Sequence, residues 1–472
     1  MESEPRVATG WGRILFLPFE VQARELHGRF LLAAEALSRG YFVVLGDKTT
    51  LARLVLDWGA PGIFLWKAVP RPGVDLLFSK LKEMGMKQIA QDEEAGIVSS
   101  RFEDFFSDRA SLRSLGKLDG FLCWGPDDYD FLESLNGDDG QGLPAKVLLT
   151  GSPRASLWGD FGNKYFEAQI EAFREQLGDY IVFSTNFASQ NEVLSGRRFT
   201  RFSQRVSSLF SEVDHNKQVQ IDSINSALFA DAIRFVATHT QLTVVIRPHP
   251  SENPAFWQKK FKGHSGIQVI ANGDTLPLNL GAVGVVQNSS TIALELFGGG
   301  PRLFALVKEE TTGHSGAKVP NLVSELVFSG ADIVAALAGP KRTSTFTQGQ
   351  QMLVERKVVG RGNTQNLSNI MDFIDTLDVE PFSGQLSPSI GVRMRAVGVA
   401  FARVASWPVP TFLLPTKIVV GRRKRSFISK KYVEFFLSRA LYLMGKNEFF
   451  RVTSVGGAAF VLHPLMPRDS GQ

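Results

Sequence analysis

Short apolar runs alternate with stretches of helical spacing through most of the chain. Residues 13–18 read Arg-Ile-Leu-Phe-Leu-Pro, which suits a buried strand. Over 24–39, Leu26, Phe30, Ala33, Ala34 and Leu37 fall on one helical face, and Gly40 follows where a C-cap glycine would stand. Residues 41–45 are apolar again. Strand, helix and strand at this spacing predict a βαβ unit. Further runs at 62–66, 88–90, 120–124 and 146–149 extend it, so residues 12–155 are expected to form one Rossmann-like domain. A second alternation begins at 180, with strands expected at 180–184, 242–246, 267–270, 282–286 and 302–306 and a long helix at 221–238. Residues 175–378 are expected to form a second Rossmann-like domain, and Thr150-Gly151-Ser152-Pro153-Arg154 reads as the hinge. The predicted fold class is therefore α/β, two Rossmann-like domains facing a cleft. Residues 383–472 differ: they are rich in Pro, Gly, Phe and basic residues, and are expected to form a basic, mostly helical extension.

Composition narrows the function classes. A chain of 472 residues is too long for one ordinary core and fits two domains with added material. One cysteine, Cys123, excludes an internal disulfide framework and points to a reducing compartment. Residues 1–9 lack the apolar centre of a signal peptide, and no apolar run reaches spanning length, so the expected location is the cytoplasm. Neither half carries GxGxxG after its first strand, which disfavours NAD or FAD. The net charge of +5 is concentrated toward the end of the chain without any recognisable nucleic-acid module, so no nucleic-acid partner is expected. The basic run at 421–431 and the amphipathic stretch at 432–444 suit an anionic inner-membrane surface, with Phe427, Ile428, Phe435, Phe436 and Leu437 available to insert. They suit equally a solvated basic face whose apolar side packs back on the body of the protein.

Two motifs stand at consecutive strand ends of the second half. Arg247-Pro248-His249-Pro250 lies just beyond a strand's carboxyl end, where ligands sit in open α/β sheets, and its prolines stiffen the turn. A guanidinium and an imidazole there suit a phosphate. Beyond the strand at 282–286, Ser289, Ser290 and Thr291 open a short helix, whose free N–H groups and partial positive charge would favour phosphate, and Glu295 is placed to accept from ribose hydroxyls. Each motif alone also has a plain structural role, as a helix cap or a braced turn; together they face one crevice. In the first half, Asp92, Glu93 and Glu94 offer a carboxylate that a closing cleft could turn into a general base, or else a solvated acidic loop. Glu25 and Arg29 are spaced i, i+4, as an exposed pair or as cleft residues. Asn186 follows the first strand of the second domain, as a ligand contact or a turn former. The histidines at 27, 215, 239, 264 and 314 show no zinc spacing and read as structural or exposed; Asp127-Asp128-Tyr129-Asp130 reads as an exposed acidic turn. No metal site is expected.

Arg247-Pro248-His249-Pro250 with Ser289 and Ser290 resembles the His-Pro and Ser motifs of GT-B glycosyltransferases that use CMP- or CDP-activated donors, including sialyltransferases, capsule and lipopolysaccharide Kdo transferases and CDP-glycerol polymerases. The hinge resembles their TGNPR-type segment, with Ser152 where Asn is usual. Residues 15–29, 91–96 and 183–187 resemble the opening, DEEG-type and TNF-type motifs of the surface carbohydrate biosynthesis protein family. Ala95 between Glu94 and Gly96 departs from the strict acid-acid-Gly triplet. The resemblance covers roughly 12–370 and implies a GT-B fold. It implies that His249, Ser289 and Ser290 hold the nucleotide phosphate and that Asp92, Glu93 or Glu94 supplies the base. It implies transfer of a Kdo-like sugar from a CMP-linked donor, without a separate cofactor, to a glycan or lipid-linked acceptor in bacterial surface polysaccharide synthesis. A CDP-glycerol glycerophosphotransferase, a UDP-sugar 2-epimerase-like enzyme and a non-catalytic GT-B-like assembly protein are the alternatives.

Overall fold

The computed structural model describes residues 12–69, 75–94, 97, 102–103, 106, 112–135, 145–187, 191, 212–308, 318–339, 346–382, 428–456 and 459–465. Among them the strands are β1 (Ile14–Phe19), β2 (Phe42–Asp47), β3 (Ile63–Trp66), β4 (Lys87–Ala90), β5 (Gly120–Cys123), β6 (Lys146–Leu149), β7 (Tyr180–Ser184), β8 (Thr243–Arg247), β9 (Ile267–Val269), β10 (Gly284–Gln287), β11 (Arg302–Leu306), β12 (Glu325–Val327), β13 (Phe449–Gly456) and β14 (Ala459–Leu465). They form two sheets, ordered β13-β14-β2-β1-β3-β4-β5-β6 and β12-β11-β10-β7-β8-β9. Every pairing from β1 to β12 is parallel. The reason lies in composition: β1, β2, β3 and β7 are buried along their whole length, as strands covered by helices on both faces must be.

The helix Gln22–Ser38 follows β1 and is buried on almost every side. One face meets the first sheet. The others are covered by the helices Gln365–Asp375 and Lys430–Leu443, which return from the far end of the chain. That is why Leu26, Phe30, Leu31, Ala34 and Leu37 are all enclosed, where a surface helix would bury one stripe. Gly40 ends the segment at φ +80°, the left-handed turn expected of it.

The extension holds an element that its composition did not announce. Besides the helix Lys430–Leu443, strands β13 and β14 form a hairpin, and β14 pairs antiparallel with β2, Val461 opposite Val44. The hairpin covers the edge that β2 would otherwise expose. Ile428, Phe436 and Leu437 are buried against the body, and only Phe435 of the apolar residues named for membrane insertion is exposed among the described ones. The apolar face of this helix thus packs inward. Phe427 and most of the basic run lie outside the described residues. Among the described residues no helix is long and apolar enough to cross a membrane.

Further contacts join the halves. Arg39 of the first domain pairs with Asp372 and Asp375, both at 2.7 Å. Asp127 and Asp130, which the sequence suggested as an exposed turn, meet Arg356 at 2.6 and 3.0 Å, while Asp128 is buried and accepts from the N–H groups of Trp124 and Gly125. Asn366 binds the carbonyls of Ser152, Val359 and Gly360 at 3.0–3.2 Å and so holds the hinge.

Candidate functional site

A cavity of about 370 Å³ opens between the two sheets, at the carboxyl ends of their central strands. The second domain contributes Ser184, Thr185, Arg247, His249, Ser290, Thr291 and Glu295; the first contributes Arg24, His27 and Glu94; Arg154 of the hinge lies between. The two predicted motifs of the second half therefore share one wall, because β8 and β10 flank β7 on either side.

The motif residues divide the work differently from their order in sequence. Arg247 spends its guanidinium on the protein: it donates to the carbonyls of Ile270, Asn272 and Gly273 and to Thr275 Oγ1, at 2.6–3.2 Å. All four acceptors are neutral. Burial lowers this arginine to about 10, with Asp274 pulling the other way. Its hydrogen bonds go to neutral groups, and Asp274 supplies a nearby negative charge that offsets part of its field. His249 is exposed at the cavity; its Nδ1 contacts Ser251 Oγ at 2.6 Å and accepts from the Ser251 N–H at 3.3 Å. That acceptor role assigns the proton of the neutral ring to Nε2.

Glu252 was not singled out from sequence and is the residue that fixes this loop. Fully buried, it accepts from Thr185 Oγ1 (2.7 Å), Asn191 Nδ2 (2.8 Å), Trp257 Nε1 (2.9 Å) and the His249 N–H (3.1 Å). An acid two residues beyond Pro250, ahead of a helix-capping Asn253, is the available signal, but its partners are remote in sequence.

The serine pair separates. Ser289 sits at φ +53°, a region that residues other than glycine rarely adopt, and its N–H and Oγ both engage Asn321, at 2.9 and 3.3 Å. Ser289 is not among the cavity residues; Ser290 and Thr291 are. The tight turn at Ser289 is what presents Ser290, whose N–H donates to Gln287 Oε1 at 2.8 Å. The helix that follows, Ile292–Leu296, spans barely more than one turn, so its dipole adds little. Glu295 lines the cavity, but its Oε1 accepts from Arg154 at 2.9 Å, which takes part of the capacity expected for ribose. Asn186 is exposed and lies off the cavity; the two residues before it, Ser184 and Thr185, line it instead.

On the first-domain side the acids separate as well. Glu93 is enclosed, 2.9 Å from Arg29 and 3.7 Å from Arg154, and burial pushes its carboxyl up against the pull of those arginines. Asp92 is buried and accepts from the Glu94 N–H at 2.9 Å. Glu25 is fully buried, accepts from the Glu20 N–H at 2.6 Å and lies 3.3 Å from Arg24 and 3.6 Å from Lys67. The i, i+4 spacing of Glu25 and Arg29 makes neither an exposed pair nor a shared cleft contact; each residue takes another partner. Of these four carboxylates only Glu94 lines the cavity, with its side chain 45% exposed and Arg24 at 3.6 Å.

His27 is the other surprise. It is buried yet lines the cavity, 3.2 Å from Asp274 of the second domain and 3.1 Å from Tyr432 Oη of the extension. Tyr432 also donates to Asp274 at 2.9 Å, so three parts of the chain meet at one carboxylate. Burial alone would raise Asp274; His27, Tyr432 and Arg247 bring it below its ordinary value. No zinc spacing surrounds His27 in sequence, and its partners are more than 100 residues away, so nothing local marked it. Among the described residues no group of three or more His, Cys, Asp or Glu stands together to hold a metal.

Two parallel α/β domains facing one cleft, joined by a hinge and with the last helices folded back on the first domain, constitute the GT-B architecture. No family model and no curated protein matches the sequence. Among solved structures the chain is similar to the wall teichoic acid polymerase TagF, with 9% identity over 77% of this chain and 88% of that one and a TM-score of 0.47. It is similar also to a UDP-glucosyltransferase of Polygonum tinctorium (9% identity, 78% and 100% covered, TM-score 0.40) and to MurG of Acinetobacter baumannii (10%, 78% and 100%, TM-score 0.33).

Proposed function

We propose that this chain is a glycosyltransferase that takes its sugar from a nucleotide-activated donor, a CMP-linked sugar acid of the Kdo kind, for bacterial surface polysaccharide. The observation that carries this reading is the cavity itself: a guanidinium, an imidazole and hydroxyls from the second domain face Glu94, the one carboxylate that the first domain contributes to the lining among the described residues.

In this reading the nucleotide phosphate lies against His249 and Ser290, in the field of Arg247. The acceptor hydroxyl attacks the anomeric carbon. A new carbon–oxygen bond forms there as the bond to the phosphate oxygen breaks. The hydroxyl proton passes to Glu94, and the bonding pair leaves with the nucleotide, whose added charge meets His249 and the field of Arg247. The enclosed walls exclude water and hold the reacting groups in line.

Thermal unfolding with CMP, CDP and UDP tests the reading. A ligand at about 100 times its Kd stabilises the folded state by about 2.7 kcal/mol. CMP is expected to raise Tm most, and His249→Ala to reduce that rise without lowering the Tm of the free protein. A preference for CDP would favour glycerophosphate transfer, and one for UDP the epimerase-like alternative. A protein that none of the three stabilises is not an enzyme of cytidine- or uridine-activated donors, and the reading fails.

A further inference from the structure

Ser184 is the last residue of β7, the strand between the two motif-bearing strands. It is in register with Arg247 of β8 on one side and with Gln287 of β10 on the other. The ladder on both edges fixes its backbone, so the direction of its side chain is set by the sheet. The residue is 5% exposed and lines the cavity; its Oγ is itself closed to solvent and has no hydrogen-bond partner among the described residues, so a rotation about χ1 is what turns it to a ligand. The next residue makes the contrast: Thr185 Oγ1 donates to Glu252 at 2.7 Å and is committed to the loop. A buried hydroxyl left unpaired costs stability, and native proteins keep few of them. Among the described residues Asn279 is also buried with an unpaired side chain, but it does not line the cavity.

We propose that Ser184 is a ligand-binding residue whose hydroxyl donates to a phosphate oxygen of the bound nucleotide. It acts between His249 on one neighbouring strand end and Ser290 beyond the other. A phosphate oxygen fits because the hydroxyl of Ser184 can donate to it while His249 and Ser290, at the neighbouring strand ends, line the same cavity. Three donors from three adjacent strand ends suit the tetrahedral spread of phosphate oxygens. The inference rests on the nucleotide-sugar reading of the cavity.

The experiment compares wild type with Ser184→Ala by calorimetric titration of CMP and of cytidine, with thermal unfolding of both proteins free of ligand. The expected result is about tenfold weaker binding of CMP, unchanged binding of cytidine, and a free Tm equal to or above that of wild type. The last readout separates a binding role from a structural one, since a hydroxyl that braced the fold would lower Tm when removed. Undiminished affinity for CMP in Ser184→Ala overturns the assignment, and so does an equal loss for CMP and cytidine. If wild type binds none of CMP, CDP and UDP, the nucleotide-sugar reading fails first and this inference fails with it.

Discussion

The charges behind the two sides of the cavity are held in different ways. On the first-domain wall almost every charge has a charged partner: Glu93 meets Arg29 and Arg154, Glu25 meets Arg24 and Lys67, and Glu295 reaches across to Arg154. On the second-domain side Arg247 is held by carbonyls with Asp274 as a nearby charge, and Glu252 is held by hydroxyl, amide, indole and backbone donors. The first wall is a closed network whose function is to fix geometry. The second holds its charges chiefly through neutral hydrogen-bond partners. Titratable residues in one cleft can thus serve opposite ends, and the partner of each decides which.

The strongest way to break this contrast is to open the closed network. Arg154 is 5% exposed and ties Glu93 to Glu295, so Arg154→Ala leaves two carboxylates with reduced compensation. Losing one member of a buried pair costs about 3–5 kcal/mol, and urea unfolding should register a loss of that order. A loss below about 1 kcal/mol would mean that the network is not structural. Glu94→Gln probes the first-domain acid that lines the cavity among the described residues. Transfer should fall about 10²- to 10⁴-fold, the range for a general base, while stability changes by no more than about 0.5 kcal/mol. Full activity in this variant would remove Glu94 from the chemistry.

The smallest effect is expected where the walls touch. Asp274 has its carboxyl held below the ordinary range, so in the folded state it stays ionised at a pH where the unfolded chain binds a proton. Its contribution is present above about pH 4 and is lost as pH falls through its folded value. Asp274→Asn should therefore differ from wild type by a constant amount near neutrality, and the difference should shrink below about pH 4. Acid unfolding curves that run parallel throughout would show that the carboxylate contributes nothing through His27 and Tyr432.

Local pattern determined a good deal here. Apolar runs with helical stretches between them made two parallel α/β domains legible, because strands buried on both faces must be continuously apolar and the helix period is visible over one or two turns. It also brought His249 and Ser290 to one crevice, since strand ends in such sheets point the same way. What it did not separate was which member of each motif faces the cavity. Arg247 and Ser289 turn to carbonyls and to Asn321, and Glu93 to two arginines, all through contacts distant along the chain. Glu252 and His27 gain their partners in the same way, and the C-terminal hairpin completes a sheet begun some 400 residues earlier. Periodicity is a property of neighbours in sequence. The partner that a buried polar group finds, or fails to find, is a property of neighbours in space, and only the packed fold supplies those.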